Sequence, residues 1–224
     1  MIRDWKTVRP LALALVISSL VGVLLFIYIA IIGHSLDYSY LLWNLFLAWL
    51  PLALSTRLVY VLRDKLWSSW EAITLSFFWL LFLPNSFYMI SDFIHLQTTP
   101  TTNDVYYAVT FTSIIYTAVV LGFISLYMVH IEFKRRFPKQ IVYPIIAVIL
   151  AICSAAIYIG RDLRWNSWDV LTNPGGVIFD ISDRLVHLSD YPSAIATGGV
   201  FFILLGSMYF LAWSGIKVIK LRRI

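Results

Sequence analysis

The chain has 224 residues, of which 60% are hydrophobic and 13% are charged. Soluble domains carry about 25% charged residues, so this composition excludes an ordinary soluble protein and indicates one that lies in a lipid bilayer. The net charge of +5 falls in short loops without a nucleic-acid-binding motif, so we expect no nucleic acid as a partner. The single cysteine, Cys153, excludes an intrachain disulfide and a cysteine-based zinc site.

Six segments reach the length of roughly 20 apolar residues that a membrane-spanning helix needs. They are residues 11–32, 40–62, 70–90, 104–129, 141–159 and 194–216. We therefore predict an all-α integral membrane protein, in which one domain, residues 1–224, forms a six-span helical bundle. The first segment is too long for the apolar region of a signal peptide and lacks a small-residue cleavage motif, so we expect it to be retained.

Two local signals refine the third span. Ser68 and Glu71 have the spacing of a capping box at its start. Near its other end, Pro84 removes a backbone donor, so the helix should kink or end close to this residue. Asn85 could then satisfy the freed groups or present its amide to a cavity.

The charges in the loops predict the orientation. Of the 17 basic residues, only Arg161, Arg164 and Arg184 fall on the side opposite the termini. The positive-inside rule therefore predicts that both termini are cytoplasmic. The outer side is acidic, because it holds eight of the 12 carboxylates.

The longest loop, residues 160–193, lies on the outer side and contains an amphipathic pattern. One helical face carries polar residues and the opposite face carries aliphatic ones. The polar face has Asp180, Asp183, Arg184 and His187, and the aliphatic face has Ile178, Ile181, Leu185 and Leu188. We predict a short helix that lies in the outer membrane interface.

The stretch "LPNSFYMISDFIHL" places Asp92 and His95 three residues apart, so that they share a face if the helix continues. Two interpretations are open. In one, this stretch is a helix exit whose polar groups are solvated. In the other, Asp92 orients His95, which acts as a general base or a metal ligand.

The stretch "GRDLRWNSWDVL" follows the fifth span. We predict that Arg161 and Arg164 share one helical face, and that Asp162, Asn166 and Asp169 share another. It is either an interfacial anchor with internal ion pairs or a site for phosphate or carboxylate, which arginine binds with two parallel hydrogen bonds. Asn44, in the second span, should lie at a depth similar to that of Asn85, although a lone asparagine is more often a contact between helices.

These stretches together predict one outward-facing polar pocket. Its catalytic candidates are Asp92, His95 and Asp169, and its substrate-binding candidates are Arg161, Arg164, Asn44, Asn85 and Asn166. We assign no metal ligands, and the sequence points to no particular cofactor. Ionisable groups at membrane depth are functional candidates by default.

Three segments of the sequence resemble a known family. "WNLFLAWLPL", "WLLFLPNSFYMISDFIHL" and "GRDLRWNSWDVL" are similar to an uncharacterised bacterial family of multi-pass membrane proteins, catalogued as domain of unknown function 1361. The resemblance covers most of the chain, from the second span through the long outer loop. It implies a protein of the bacterial plasma membrane with these polar positions, and it implies no activity.

Three functions are compatible with this pattern. The first is a membrane-embedded hydrolase or transferase that acts on an anionic or lipid-linked substrate at the outer leaflet. The second is a non-enzymatic accessory or assembly protein, in which the polar residues pair between helices. The third is a transporter of small solutes, which would need polar groups along a path through the bundle.

Overall fold

The computed structural model describes residues 5–98, 104–165 and 167–221, in which all regular secondary structure is helical. These described residues form eight α-helices. They are α1 (Trp5–Gly33), α2 (Tyr40–Val61), α3 (Trp70–Tyr88), α4 (Asp104–Arg136), α5 (Lys139–Asp162), α6 (Asp169–Thr172), α7 (Pro174–Val186) and α8 (Pro192–Leu221). A 3-10 segment, Met89–Thr98, extends α3, and a 3-10 turn, Leu188–Asp190, precedes α8.

Six of these helices, α1 to α5 and α8, are long and apolar enough to cross a membrane. The predicted all-α, six-span architecture is therefore confirmed. The largest difference at a single end is in α4, which continues past the predicted residue 129 to Arg136 and carries its basic residues on its last turn. Cations there interact favourably with the negative end of the helix dipole.

The fourth spanning helix lies at the centre of the bundle, where α4 packs against α1, α2 and α3. Close approach depends on glycine. A Cβ atom on Gly122 would lie 2.7 Å from Cβ of Ser86 and 2.9 Å from Cε1 of Phe87, both on α3. The fifth helix packs on α3, and α8 packs along α5.

Hydroxyl groups connect the helices in the middle of the bundle. The Trp79 indole donates to Ser125 Oγ at 2.8 Å, and Ser125 Oγ in turn lies 2.8 Å from the Pro51 carbonyl and 3.0 Å from Ser55 Oγ. These contacts join α2, α3 and α4. Small polar side chains commonly hold spanning helices together in this way.

One of the two local predictions for the third span, the capping box, needs correction. The N-cap of α3 is Ser69, whose Oγ accepts from the Ala72 backbone N–H at 3.4 Å, and not Ser68. After Pro84 the α-helix continues for four residues, to Tyr88, and there it tightens into the 3-10 segment. A proline in a packed spanning helix is tolerated where neighbouring side chains satisfy the freed groups.

The two ends of the bundle differ in charge. We call the end with Lys65, Lys134 and Lys217 the basic end, and the end with Asp92, Asp169 and α7 the acidic end. At the basic end, Arg57 and Lys65 both bind Glu71, at 2.8 and 2.6 Å. The asymmetry that the sequence predicts in the loops is thus present in the folded chain.

Candidate functional site

Asp92 lies inside the acidic end, where side chains of the 3-10 segment contact α2. Its side chain is only 3% exposed, and the Asn44 amide donates to its Oδ2 at 3.4 Å. Among the described residues, no cation forms an ion pair with this carboxyl group. A buried carboxyl group without a cationic partner is energetically costly, so Asp92 is not a simple solvated exit residue.

His95 lies one turn further along the 3-10 segment, where it contacts the same face of α2. Its ring stacks edge-on against Tyr40, with centroids 5.6 Å apart, and Tyr40 precedes Asn44 by one helical turn. Asp92 and His95 therefore share the face that their spacing predicts, because a 3-10 segment also aligns residues i and i+3. They differ in burial, since His95 is exposed.

Two tyrosines lie near the Asp92 carboxyl group. Tyr40 and Tyr88 both lie within its electrostatic reach. The Tyr40 hydroxyl is enclosed, with no hydrogen-bond partner among the described residues. Tyr88 is also within reach of Arg161, and its ring would meet a Cβ on the neighbouring Gly160 at 3.2 Å. Tyr88 thus connects the buried carboxyl group to the end of α5.

Asn85 bonds to a side chain of the outer loop. Its amide donates to Ser167 Oγ at 3.0 Å, and Ser167 Oγ donates to the Leu81 carbonyl at 3.1 Å. This carbonyl is adjacent to that of Leu80, which loses its helical donor to Pro84. Asn85 and Ser167 therefore fasten the outer loop to α3 at its proline.

The predicted helical faces of residues 160–171 are wrong. The fifth helix ends at Asp162, and Arg164 has a φ of 59°, so Arg161 and Arg164 do not share a helical face. Asp162 and Asp169 are likewise separated, because Asp169 begins α6. Both arginines are exposed, and Asp169 is half-buried. A left-handed non-glycine residue costs about 1–2 kcal/mol, so the surrounding turn must hold Arg164 in place.

The outer loop contains the predicted amphipathic helix, which is α7. Side chains on its polar face bond to residues before and after the helix. Trp165 donates to Asp180 at 2.7 Å, and Tyr191 donates to Asp183 at 2.9 Å. The bond to Asp183 raises the pKa of Tyr191. Its apolar residues Ile178 and Phe179 are exposed, as expected for a helix that meets lipid.

The other predicted site features have these positions. Asn166 lies outside the described residues. Two grooves, of about 610 and 340 Å³, are lined mainly by apolar side chains of α3 with α5 and of α2 with α3, and neither includes a predicted site residue. No group of three or more His, Cys, Asp or Glu residues in the described ranges is placed to hold a metal ion.

Sequence reasoning missed three members of this region: Tyr40, Tyr88 and Ser167. The spacing of Tyr40 and Asn44, four residues apart at the start of a span, could have indicated Tyr40. Ser167 gave no signal, because its partners Asn85 and Leu81 are more than 80 residues away in sequence.

Comparison with known proteins places the chain in a family. No curated protein and no solved structure matches it. The sequence profile described as "Protein of unknown function (DUF1361)" matches residues 43–208, which include Asn44, Asp92 and the outer loop. This multi-pass membrane protein therefore belongs to the DUF1361 family.

Proposed function

We propose that the protein is a membrane-embedded hydrolase or transferase that acts on an anionic, lipid-linked substrate at the acidic end of the bundle. The observation that carries the proposal is Asp92, a buried carboxyl group whose described hydrogen-bond partner is an amide. Ionisable groups buried in spanning segments are expensive and mark functional sites. The basic end would face the cytoplasm, which places the site in the outer leaflet of the plasma membrane.

Each polar residue has a role in this proposal. Asp92 transfers a proton to or from the reacting group, and Asn44 fixes its orientation. His95 and Asp169 supply a second acid–base group and a second carboxylate at the rim. The substrate phosphate is bound by Arg161 and Arg164, whose guanidinium groups suit it, and by Asn166. Asn85 acts through Ser167, which holds the arginine-bearing loop on α3.

The test uses the whole protein in lipid nanodiscs that contain phosphatidic acid and a polyprenyl diphosphate, with conversion followed by phosphorus NMR. The wild type should convert one of them. Asp92→Asn should keep the bond to Asn44 and the melting temperature but lower the rate by about 10²–10⁴-fold, the usual contribution of a general acid or base. Asp190→Asn, at an exposed carboxylate of the same end, is the matched control.

The arginines are tested in the same assay. Arg161→Gln and Arg164→Asn should raise KM more than they lower kcat, since they remove contacts to the phosphate. Asparagine tolerates the left-handed backbone of residue 164, so the effect of Arg164→Asn on KM reports the loss of the positive charge. Arg63→Gln at the basic end should change nothing. Absence of conversion by the wild type, or full activity of Asp92→Asn, would overturn the proposal.

A second candidate is an accessory or assembly protein. The exposed apolar residues of α7, Ile178, Phe179 and Val186, favour it, because they could contact another membrane protein as well as lipid. In that case Asp92→Asn would be silent in the cell, while Phe179→Ser would abolish assembly. A transporter is less favoured, because the hydroxyls of Ser55, Ser86 and Ser125 in the middle of the bundle are used in contacts between helices.

A further inference from the structure

At the basic end, α4 and α8 meet around a stacked pair of rings. The His130 and Trp213 rings are 4.1 Å apart and inclined by 16°. His130 is 1% exposed and its Nδ1 lies 2.7 Å from the Tyr209 hydroxyl, while Trp213 is 7% exposed. The pair is therefore fixed by packing and by one short hydrogen bond.

Both rings retain a buried nitrogen that has no hydrogen-bond partner among the described residues, namely Nε1 of Trp213 and Nε2 of His130. The indole nitrogen can only donate. Nε2 is also a donor in the tautomer that accepts from Tyr209 at Nδ1. Buried polar groups without partners are uncommon in folded proteins, so an acceptor that the described residues do not supply is expected here.

Two ammonium groups converge on the same indole. Nζ of Lys134 lies 4.8 Å from the centre of the Trp213 ring, and Nζ of Lys217 lies 5.5 Å from it. In the described ranges neither lysine has a carboxylate partner, and the nearby Glu132 binds Arg135 instead. The other rings around the pair, Tyr127 and Tyr143, add no charge. Two like charges over one ring are most stable with an anion between them.

We propose that Lys134, Lys217 and the N–H group of Trp213 bind one phosphate-bearing anion at the basic end, with His130 stacked on the indole as a positioning residue. Clefts between spanning helices that carry lysine at the membrane surface suit the headgroups of anionic lipids, and tryptophan is common at this depth. A phosphodiester headgroup and free inorganic phosphate offer the same acceptor oxygens. The site is independent of the activity proposed for the acidic end.

The test is native mass spectrometry of the purified protein with phosphatidylglycerol, with phosphatidylcholine, and with inorganic phosphate as competitor. The wild type should retain phosphatidylglycerol in preference to phosphatidylcholine. Lys134→Gln with Lys217→Gln should weaken retention by about 30-fold, since each lysine near an anionic headgroup contributes roughly fivefold. Trp213→Phe keeps the ring but removes the donor, and should weaken it by about fivefold.

Lys139→Gln, a lysine at the same end without these contacts, is the matched control and should bind as the wild type does. If millimolar inorganic phosphate displaces the lipid from the wild type but has no effect on the double lysine variant, the site is supported, with free phosphate as its occupant. The proposal would be overturned if the double lysine variant retains as much lipid as Lys139→Gln does, and if phosphate affects the wild type and the double variant equally.

Discussion

Trp79 places an N–H group in the middle of the bundle, where no bulk water can accept its hydrogen bond. The side chain is 3% exposed, and Ser125 on α4 accepts its hydrogen at 2.8 Å. Hydrogen bonds between spanning helices contribute about 0.6 kcal/mol on average. The large indole also fills space that a smaller ring would leave empty, so packing adds to this amount.

We expect Trp79→Phe to lower the free energy of unfolding by about 1–3 kcal/mol, from the lost hydrogen bond and the cavity together. Trp70→Phe makes the same chemical change at a side chain that is 85% exposed, and should stay within about 0.5 kcal/mol of the wild type. Reversible unfolding in mixed micelles, followed by circular dichroism, measures both. Equal losses in the two variants would contradict the role given to the Trp79–Ser125 bond.

At the scale of the elements, α3 and α4 approach each other closely where Gly122 faces Ser86 and Phe87. The bond from Ser86 Oγ to the Ala48 carbonyl, at 3.3 Å, also ties α3 to α2 at this level. A small residue here lets two backbones come together, which increases dispersion contacts and shortens polar bonds. The glycines of α8 are different, because a Cβ on Gly206 would meet nothing within 4 Å.

Gly122→Ala should therefore lower the melting temperature in detergent, with a loss of about 1–3 kcal/mol, because the added methyl group forces α3 away from α4. Gly206→Ala should leave it unchanged or raise it, since alanine favours the helix by up to about 1 kcal/mol. Differential scanning fluorimetry on the two purified variants is sufficient. A stable Gly122→Ala variant would mean that α3 can shift without cost.

For the whole molecule, the distribution of charge predicts how the bundle is inserted. The lysines and most arginines lie at the basic end, and the acidic end holds Asp92, Asp169 and the carboxylates of α7. Because positive residues are retained in the cytoplasm, both termini should be found there.

Labelling with a membrane-impermeant maleimide tests this orientation, with a low background because Cys153 is buried. A cysteine at Gly175, where the added side chain meets open space, should react in intact cells. A cysteine at Arg63, in the exposed turn after α2, should react only after the membrane is permeabilised. The reverse pattern would invert the topology and move the candidate site to the cytoplasmic face.

The sequence predicted the spans well and the side-chain partners less well, for a physical reason. The hydropathy that identifies a span is summed over about 20 residues, so the contribution of any single residue matters little. The prediction that Arg161 and Arg164 share a helical face depended instead on where α5 ends. The helix stops before Arg164, which has a left-handed backbone conformation. The contact of Asn85 with Ser167, and that of His130 with Trp213, depend on which helices are neighbours, which hydropathy does not report.

The central position of α4 has a consequence for biogenesis. Ser18 on α1 reaches its partner Thr117 at 2.6 Å, and Trp79 on α3 reaches Ser125, only after α4 has been made. While the ribosome synthesises the first three spans, these polar groups face lipid or the insertion machinery. A nascent chain that stops before residue 104 therefore presents polar groups without their native partners, whereas the peripheral α8 can join a bundle that has already closed.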